Sequence, residues 1–404
     1  MRIKLLSIFV FLVLTGQVYA ATVIPFSSPE NSYGVLADYL GDLNHSVYLS
    51  GYTFTSLDIA NKLIDAKMRG LDVKVLLDAS PVSGVSNLSI EIFCRLYSNN
   101  ISVHLYTGDL RFLHGKYIIG DNKSILVSSE NFGEGGYSKK AFANRGWGSL
   151  IFDMNSANKL LDIFFSDLKT SQEFTCEKKK NWIKQTATEK NKYKLYSNQE
   201  VDIISAPENA VDGILNLLNS AKTSIYVQQF YIRKGWGDKE NPFLDTLINK
   251  ARQGIEVKIL VDSSDYNLEG KDNNLKTINY INKIAEDEKL NLQAKLIDLD
   301  FFVFREAHNK GVLVDNNTAL VSSINWNENS PKYNREIGVI IKGDSAEYFL
   351  DLFLKDWNVG SIATGKIVEE SKNQIIYIII FVFGLCGIYY LVKHFPRKSK
   401  TFLS

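Results

Sequence analysis

Histidine and cysteine are both scarce in this chain: five histidines and three cysteines in 404 residues. No C-x-x-C pair and no H-E-x-x-H is present, so zinc is not indicated. No Gly-rich phosphate loop points to a nucleotide cofactor. An excess of one charge is also missing, with 46 basic against 45 acidic residues. Nothing in that balance draws the whole chain toward nucleic acid. Of the cysteines, Cys386 falls inside an apolar run, which leaves Cys94 and Cys176. An oxidising compartment permits a bridge between them; Cys94, in the apolar stretch IEIFCRLY, reads equally well as a buried thiol.

Two of the five histidines stand at matching places in one pattern, H-x-K-x-x-x-x-D. The copies are HGKYIIGD (His114 to Asp121) and HNKGVLVD (His308 to Asp315). Each is followed at the same distance by a serine pair and an asparagine: Ser128, Ser129 and Asn131, then Ser322, Ser323 and Asn325. Brought together, these residues make a site for a phosphodiester. Lys116 and Lys310 offset the anion as compact point charges. Asn131 and Asn325 donate amide hydrogens to its non-bridging oxygens. One neutral imidazole attacks phosphorus, and a second, protonated one gives its proton to the leaving alkoxide. The lysines take the place of a cation, so no metal or other cofactor is expected.

Side chains two apart on a strand share a face, so His114 lies with Lys116 and His308 with Lys310. An apolar stretch follows each lysine, then a polar turn (DNKS, DNNT), then a second apolar run. Each motif therefore predicts a strand, a turn and a strand. Asp121 and Asp315 sit one strand away from the histidines, where capping a turn is at least as good a reading as direct chemistry. Tyr117, Phe132 and Trp326 read as packing residues.

Both motifs, with the downstream S-S-x-N, resemble the phospholipase D superfamily of HKD phosphodiesterases. That family usually has G-S-x-N at the downstream position. The duplication extends along the chain. SVYLSGYTF (Ser46 to Phe54) aligns with SIYVQQFYI (Ser224 to Ile232), and GLDVKVLLD (Gly70 to Asp78) with GIEVKILVD (Gly254 to Asp262). Asn144 and Arg145 match Asn334 and Arg335, and LLDIFFSDL matches FLDLFLKDW. Apolar strand runs without clean alternation predict sheets covered on both faces. The expected fold is α/β, with two α/β/α layered halves. The resemblance implies that they pack about a pseudo-twofold axis and share one cleft.

The expected organisation is a signal peptide over 1–20, half 1 over 21–174, a Lys-rich linker over 175–198 and half 2 over 199–362. A juxtamembrane linker (363–374), a membrane span (375–392) and a basic tail (393–404) complete it. The basic start (Arg2, Lys4), the apolar run and the small residues Val18 and Ala20 carry the first expectation. Ile375 to Val392 is free of charge for 18 residues, ~27 Å as a helix, close to a bilayer core. The lysines and arginine that follow place the tail in the cytosol and the halves outside.

The family usually has a carboxylate or amide downstream of each motif, against an active-site histidine. Half 2 supplies Glu336; half 1 has Gly146 at the matching place. The two histidines are therefore expected to differ in surroundings. In some family members this carboxylate crosses to the other half's histidine, which here implies that Glu336 supports His114 as nucleophile, with His308 as acid; the reverse assignment stays open. Ser129 and Ser323 are expected to line the phosphate site beside Asn131 and Asn325. The function implied is an outward-facing, membrane-anchored phosphodiesterase acting on phospholipid. Two alternatives remain: a nuclease of the same superfamily, with nucleic acid as substrate, and a non-catalytic binding protein that keeps the fold. Loops such as Arg233 to Asn241 and Tyr266 to Asn274 are expected to set substrate choice.

Overall fold

The computed structural model describes residues 20–177, 191–359 and 361–362. Nearly all of the expected signal peptide, most of the Lys-rich linker and the apolar run 375–392 lie outside the described residues. Among the described residues, no helix is long and apolar enough to cross a membrane.

The first half contributes β1 (Ala21–Ser28), β2 (Ser46–Gly51), β3 (Asp72–Asp78), β4 (Ser102–Tyr106), β5 (Tyr117–Gly120), β6 (Ser124–Ser128), β7 (Gly146–Phe152) and β8 (Ser171–Glu173). The second contributes β9 (Tyr196–Ala206), β10 (Ser224–Gln229), β13 (Glu256–Val261), β14 (Leu292–Ile297), β15 (Lys310–Val314), β16 (Thr318–Ser322), β17 (Glu336–Lys342) and β18 (Ser361–Ile362). Its insertion is a small hairpin, β11 (Gly235–Trp236) and β12 (Lys239–Glu240). The order β18-β14-β13-β10-β15-β16-β17-β9-β1-β7-β6-β5-β2-β3-β4-β8 makes one 16-stranded sheet. Reversing it maps one half onto the other, so the pseudo-twofold lies between β1 and β9. That seam is a strand pair, Ala21 against Gln199 and Val23 against Tyr196. The two halves pack on each other through a shared core, as expected, and in addition their edges join through β1 and β9. β9 begins at Tyr196, so the second half starts three residues earlier than the expected boundary at 199.

Period-two alternation assigns each strand face to a different core. In β2, Val47 and Leu49 join a cluster with Val35, Leu36, Ile59, Leu63 and Ile92 from the half's own helices. Tyr48, between them, faces the other way, into a cluster shared by both halves. That cluster holds Leu160 and Phe164 of the closing helix Met154–Lys169, and Phe349 and Phe353 of its counterpart Ala346–Val359. The second half has its own outer cluster, with Ile214, Leu247 and Ile278. Helices on both faces explain the unbroken apolar strands. Helix starts follow local chemistry: Ser56 accepts from Ile59 N, and Asp153 from Ser156 N at 2.7 Å. Cys94 and Cys176 are joined in a disulfide, which ties the helix Asn87–Ser98 to the segment after β8.

β2, β3 and β4 run parallel, as do β10, β13 and β14. Within each half, the loops at these carboxyl ends and the start of β5 or β15 lie at one end of the strands, where that half's histidine stands. The two halves face each other across the shared core, Trp147 of β7 against Gly311 of β15, and Leu113 bridges to Arg335, so the two histidine ends meet.

Candidate active site

Each motif is a hairpin whose turn explains its aspartate. Asp121 and Asn122 take φ of 51° and 56°, and Asp315 and Asn316 take 51° and 60°. Asp and Asn tolerate this left-handed region and favour such two-residue turns. The Asp121 carboxylate accepts from the backbone N–H groups of Asn44, His45 and Ser46. Asp315 does the same for Lys222, Thr223 and Ser224. The motif aspartates thus tie the hairpin tip to the start of β2 or β10, at the end of the strands away from the histidines. Asp121→Ala is expected to lower stability by about 2–3 kcal/mol through lost charge-assisted bonds, with turnover per folded molecule unchanged. Urea unfolding beside an activity assay checks this; lost turnover at native stability would contradict it.

The histidines are held across the seam. His114 Nδ1 lies 2.8 Å from Glu336 Oε2, and His308 Nδ1 lies 3.5 Å from Glu130 Oε2. Glu336 belongs to the second half and Glu130 to the first, so each imidazole meets a carboxylate of the other half. His114 N donates to Arg335 O at 2.8 Å, a main-chain link that fixes the crossing. Both carboxylates are buried, at 0% and 2% exposure, while the histidines keep 9% and 8%. Glu336 accepts from Ser323 Oγ at 2.5 Å and Asn334 Nδ2 at 2.9 Å. Glu130 accepts from Asn144 Nδ2 at 2.9 Å. Asn144 also donates to Glu306 Oε1 at 3.0 Å, two residues before His308.

Gly146 had led to the expectation that the two histidines would differ in surroundings. Both have a carboxylate; they differ in how tightly it is held. Sequence reading missed Glu130 because it looked for an acid at the position of Glu336. The signal available was a buried-type S-S-E-N in which Glu130 replaces the apolar Ile324 of the other copy.

Lys116 and Lys310 are fully buried and donate to the carbonyls of His114 and His308. Aromatic rings back both pairs: Tyr52 lies 4.7 Å from the His114 ring, and Phe230 lies 4.7 Å from that of His308. These two aromatics occupy matching places in the repeat. Asn131 and Asn325 follow β6 and β16, each at the histidine end of its own half, and among the described residues their buried Oδ1 atoms have no hydrogen-bond partner. The serines depart from expectation. Ser129 and Ser323 are fully buried; Ser129 Oγ accepts from Trp147 N, and Ser323 Oγ accepts from Ile337 N and donates to Glu336. Their hydroxyls are used on the neighbouring strand and the carboxylate, so they support the site from behind and do not line it.

Burial and neighbouring charge set the protonation states. Burial pushes His114 down to about 4, against the pull of Glu336, which leaves its imidazole neutral at pH 7. Burial also lowers Lys116 to about 7 and Lys310 to about 8. For Glu336 burial pushes upward, but His114 and Lys116 outweigh it and hold the carboxyl below its usual range. Glu130 is likewise held low by His308, Lys310 and Asn144 against burial.

A pH dependence follows. The lysines are charged below their lowered pKa values and neutral above them. An anion binds the charged forms and takes up protons as it does so. Sulfate, whose charge is constant over this range, should bind at least ~10-fold more weakly at pH 9 than at pH 6.5. Calorimetry in two buffers of different ionisation heat would also show proton uptake. A flat affinity over that range would contradict the assignment.

Two carboxylate–imidazole pairs and two buried lysines where the facing halves meet make an anion site with one neutral imidazole and a second imidazole. The fold and the motifs have known relatives. Phosphatidylserine synthase from Haemophilus influenzae Rd KW20 superposes with a TM-score of 0.62 at 14% identity, over 84% of this chain and 87% of that one. Cardiolipin synthase A of Wigglesworthia glossinidia brevipalpis is 30% identical over 179 residues, 40% of this chain and 33% of that protein. Phospholipase D of Rickettsia conorii (strain ATCC VR-613 / Malish 7) is 28% identical over 152 residues, 37% of this chain and 64% of that protein. The match to these curated relatives thus spans about a third and just under two thirds of their lengths. A family model described as cardiolipin synthase, PLD-like domain, matches residues 36–168 and 214–357, one copy in each half. The chain is therefore a member of the phospholipase D-like family, with both halves of the paired domain in a single polypeptide.

Proposed function

We propose that this protein is a phosphodiesterase that hydrolyses or transfers phosphatidyl groups through a phosphohistidine. The observation that carries the reading is the crossed pair of carboxylate-held imidazoles beside Lys116 and Lys310. Glu336 on Nδ1 of His114 leaves Nε2 with a free lone pair. Nε2 attacks phosphorus, the N–P bond forms as the P–O bond breaks, and the protonated His308 gives its proton to the departing alkoxide. His308, now neutral, takes a proton from water or an alcohol. The resulting oxygen nucleophile attacks phosphorus and the N–P bond breaks. The lysines offset charge on the non-bridging oxygens throughout.

Phospholipid is the proposed substrate class. The names of the relatives support it, as does the proposed topology: a cleaved leader over 1–20, the two halves outside the cytosol and an anchor over 375–392. An anchored enzyme meets lipid at high effective concentration.

The test offers the full-length protein phospholipid vesicles and single-stranded DNA side by side, in the presence of EDTA, with His114→Ala as control. Lipid cleavage that disappears in the control is expected. DNA cleavage that disappears instead would assign the protein to nucleases, and activity on neither would overturn the reading.

A further inference from the structure

We infer that Glu130 is the positioning carboxylate of His308, displaced from the start of β7 to the loop after β6, and that Gly146 is the complementary half of this exchange. Aligning the two halves sets Glu130 against Ile324 and Gly146 against Glu336. The acid and its non-acidic counterpart have traded places between the halves. The backbone carrying them is the same: Glu130 N donates to Ser128 Oγ at 3.1 Å, and Ile324 N to Ser322 Oγ at 3.3 Å.

Space accounts for the exchange. A Cβ on Gly146 would stand 2.1 Å from Glu130 Oε1 and 2.6 Å from its Cγ. A Cβ on Gly136 would stand 2.4 Å from Glu130 Cβ. Two glycines thus hollow out the volume that the displaced side chain fills. The partners have not moved. Asn144 and Asn334, at matching places, each donate to a carboxylate at 2.9 Å, although the acid arrives from different strands. The two imidazoles meet those same carboxylates. A buried carboxylate is costly without a cationic partner, and a protonated His308 is the partner that the mechanism supplies. The displaced acid holds its imidazole less closely, at 3.5 Å against 2.8 Å, and among the described residues neither Glu130 Oε1 nor His308 Nδ1 has a hydrogen-bond partner.

The kinetic arm of the test rests on the phosphodiesterase reading; the spectroscopic arm does not. With five histidines in the chain, individual imidazoles can be followed by NMR. In Glu130→Gln the ring signals of His308 should shift from their wild-type positions, with those of His114 unmoved. An unmoved His308 would overturn the inference, whatever the enzyme's activity. In the kinetic arm, Glu130→Ile should lower turnover of a diester with an alkyl leaving group by ~10²–10³-fold. The burst of nitrophenol from a nitrophenyl diester, whose leaving group departs without acid help, should change only a few-fold, while release of the phosphoenzyme slows. Adding Gly146→Glu to Glu130→Ile copies the second half into the first and should recover most of the loss. A folded double variant with no recovery, or an equal loss in the first step on both leaving groups, would overturn it. A wild type inactive on every diester would count against the phosphodiesterase reading alone.

Discussion

His114→Ala should lower phosphodiester turnover by at least ~10⁴-fold, and His308→Ala by ~10²–10⁴-fold on substrates with an alkyl leaving group. The inequality comes from the different tasks of two similar side chains. His114 makes the shorter bond to its carboxylate, and that carboxylate is itself held by Ser323 and Asn334. Burial keeps the ring neutral, with its pKa near 4. A neutral ring with a fixed tautomer is a nucleophile, and losing it removes the covalent route altogether. His308 acts on the leaving group. On a nitrophenyl diester the first step needs no proton, so the loss in His308→Ala should shrink to a few-fold for that step while release of the phosphoenzyme slows. Equal losses for both variants on both substrates would contradict this division.

Arg335→Ala should destabilise the protein by about 3–5 kcal/mol, the cost of leaving one member of a buried ion pair alone. Arg335 bonds Asp167 in a two-pronged contact at 2.9 and 3.0 Å, and the second half's Glu208 at 2.6 Å. Asp167 belongs to the first half's closing helix and is 4% exposed. Arg145 repeats the arrangement in mirror image, with Asp356 of the second closing helix at 2.9 Å and Glu30 of its own half at 2.7 Å. These crossed clamps fix the two halves at the place where the histidines reach their partners, because Arg335 precedes Glu336 and accepts from His114 N. Burial already pushes Asp167 up, and Arg335 pulls it back. Without the arginine, the folded-state pKa of Asp167 rises further above the unfolded value. The folded variant then binds that proton more tightly, so the deficit should be smaller at pH 5 than at pH 7. Replacing the pair together, as Arg335→Met with Asp167→Leu, should recover much of the stability. Urea unfolding at both pH values measures all three. A deficit under 1 kcal/mol for Arg335→Ala would show that the clamp does not hold the seam.

The repeated motif made much of this legible in advance. The DN turns gave the hairpins, but the strands begin later than alternation assumed: β5 starts at Tyr117, after His114 and Lys116, and β15 at Lys310, after His308. The crossing of Glu336 to His114 came from the family resemblance. What escaped notice depended on space and not on register. Glu130 was overlooked because its acid enters from the loop after β6, through volume left by Gly136 and Gly146, and no single-chain pattern encodes a shared cavity. Ser129 and Ser323 lay at the expected positions, but hydroxyl direction is set by the neighbouring strand. Asn144, Arg145, Asn334 and Arg335 stood out as repeats, yet their partners Asp167 and Asp356 lie in the opposite half. The joining of the sheets at β1 and β9 was hidden for the same reason: edge pairing depends on which edges are left uncovered after each half has folded.

The most direct test of the mechanism is to trap the intermediate. His308→Ala protein, mixed with a nitrophenyl phosphodiester and quenched in base, would be digested and analysed by mass spectrometry. The account expects the phosphoryl adduct on the peptide that carries His114, because the nucleophile is intact and the leaving group needs no acid. An adduct on the His308 peptide of a His114→Ala protein, with none on His114, would reverse the two roles. Turnover by wild type without any histidine adduct would contradict the covalent mechanism.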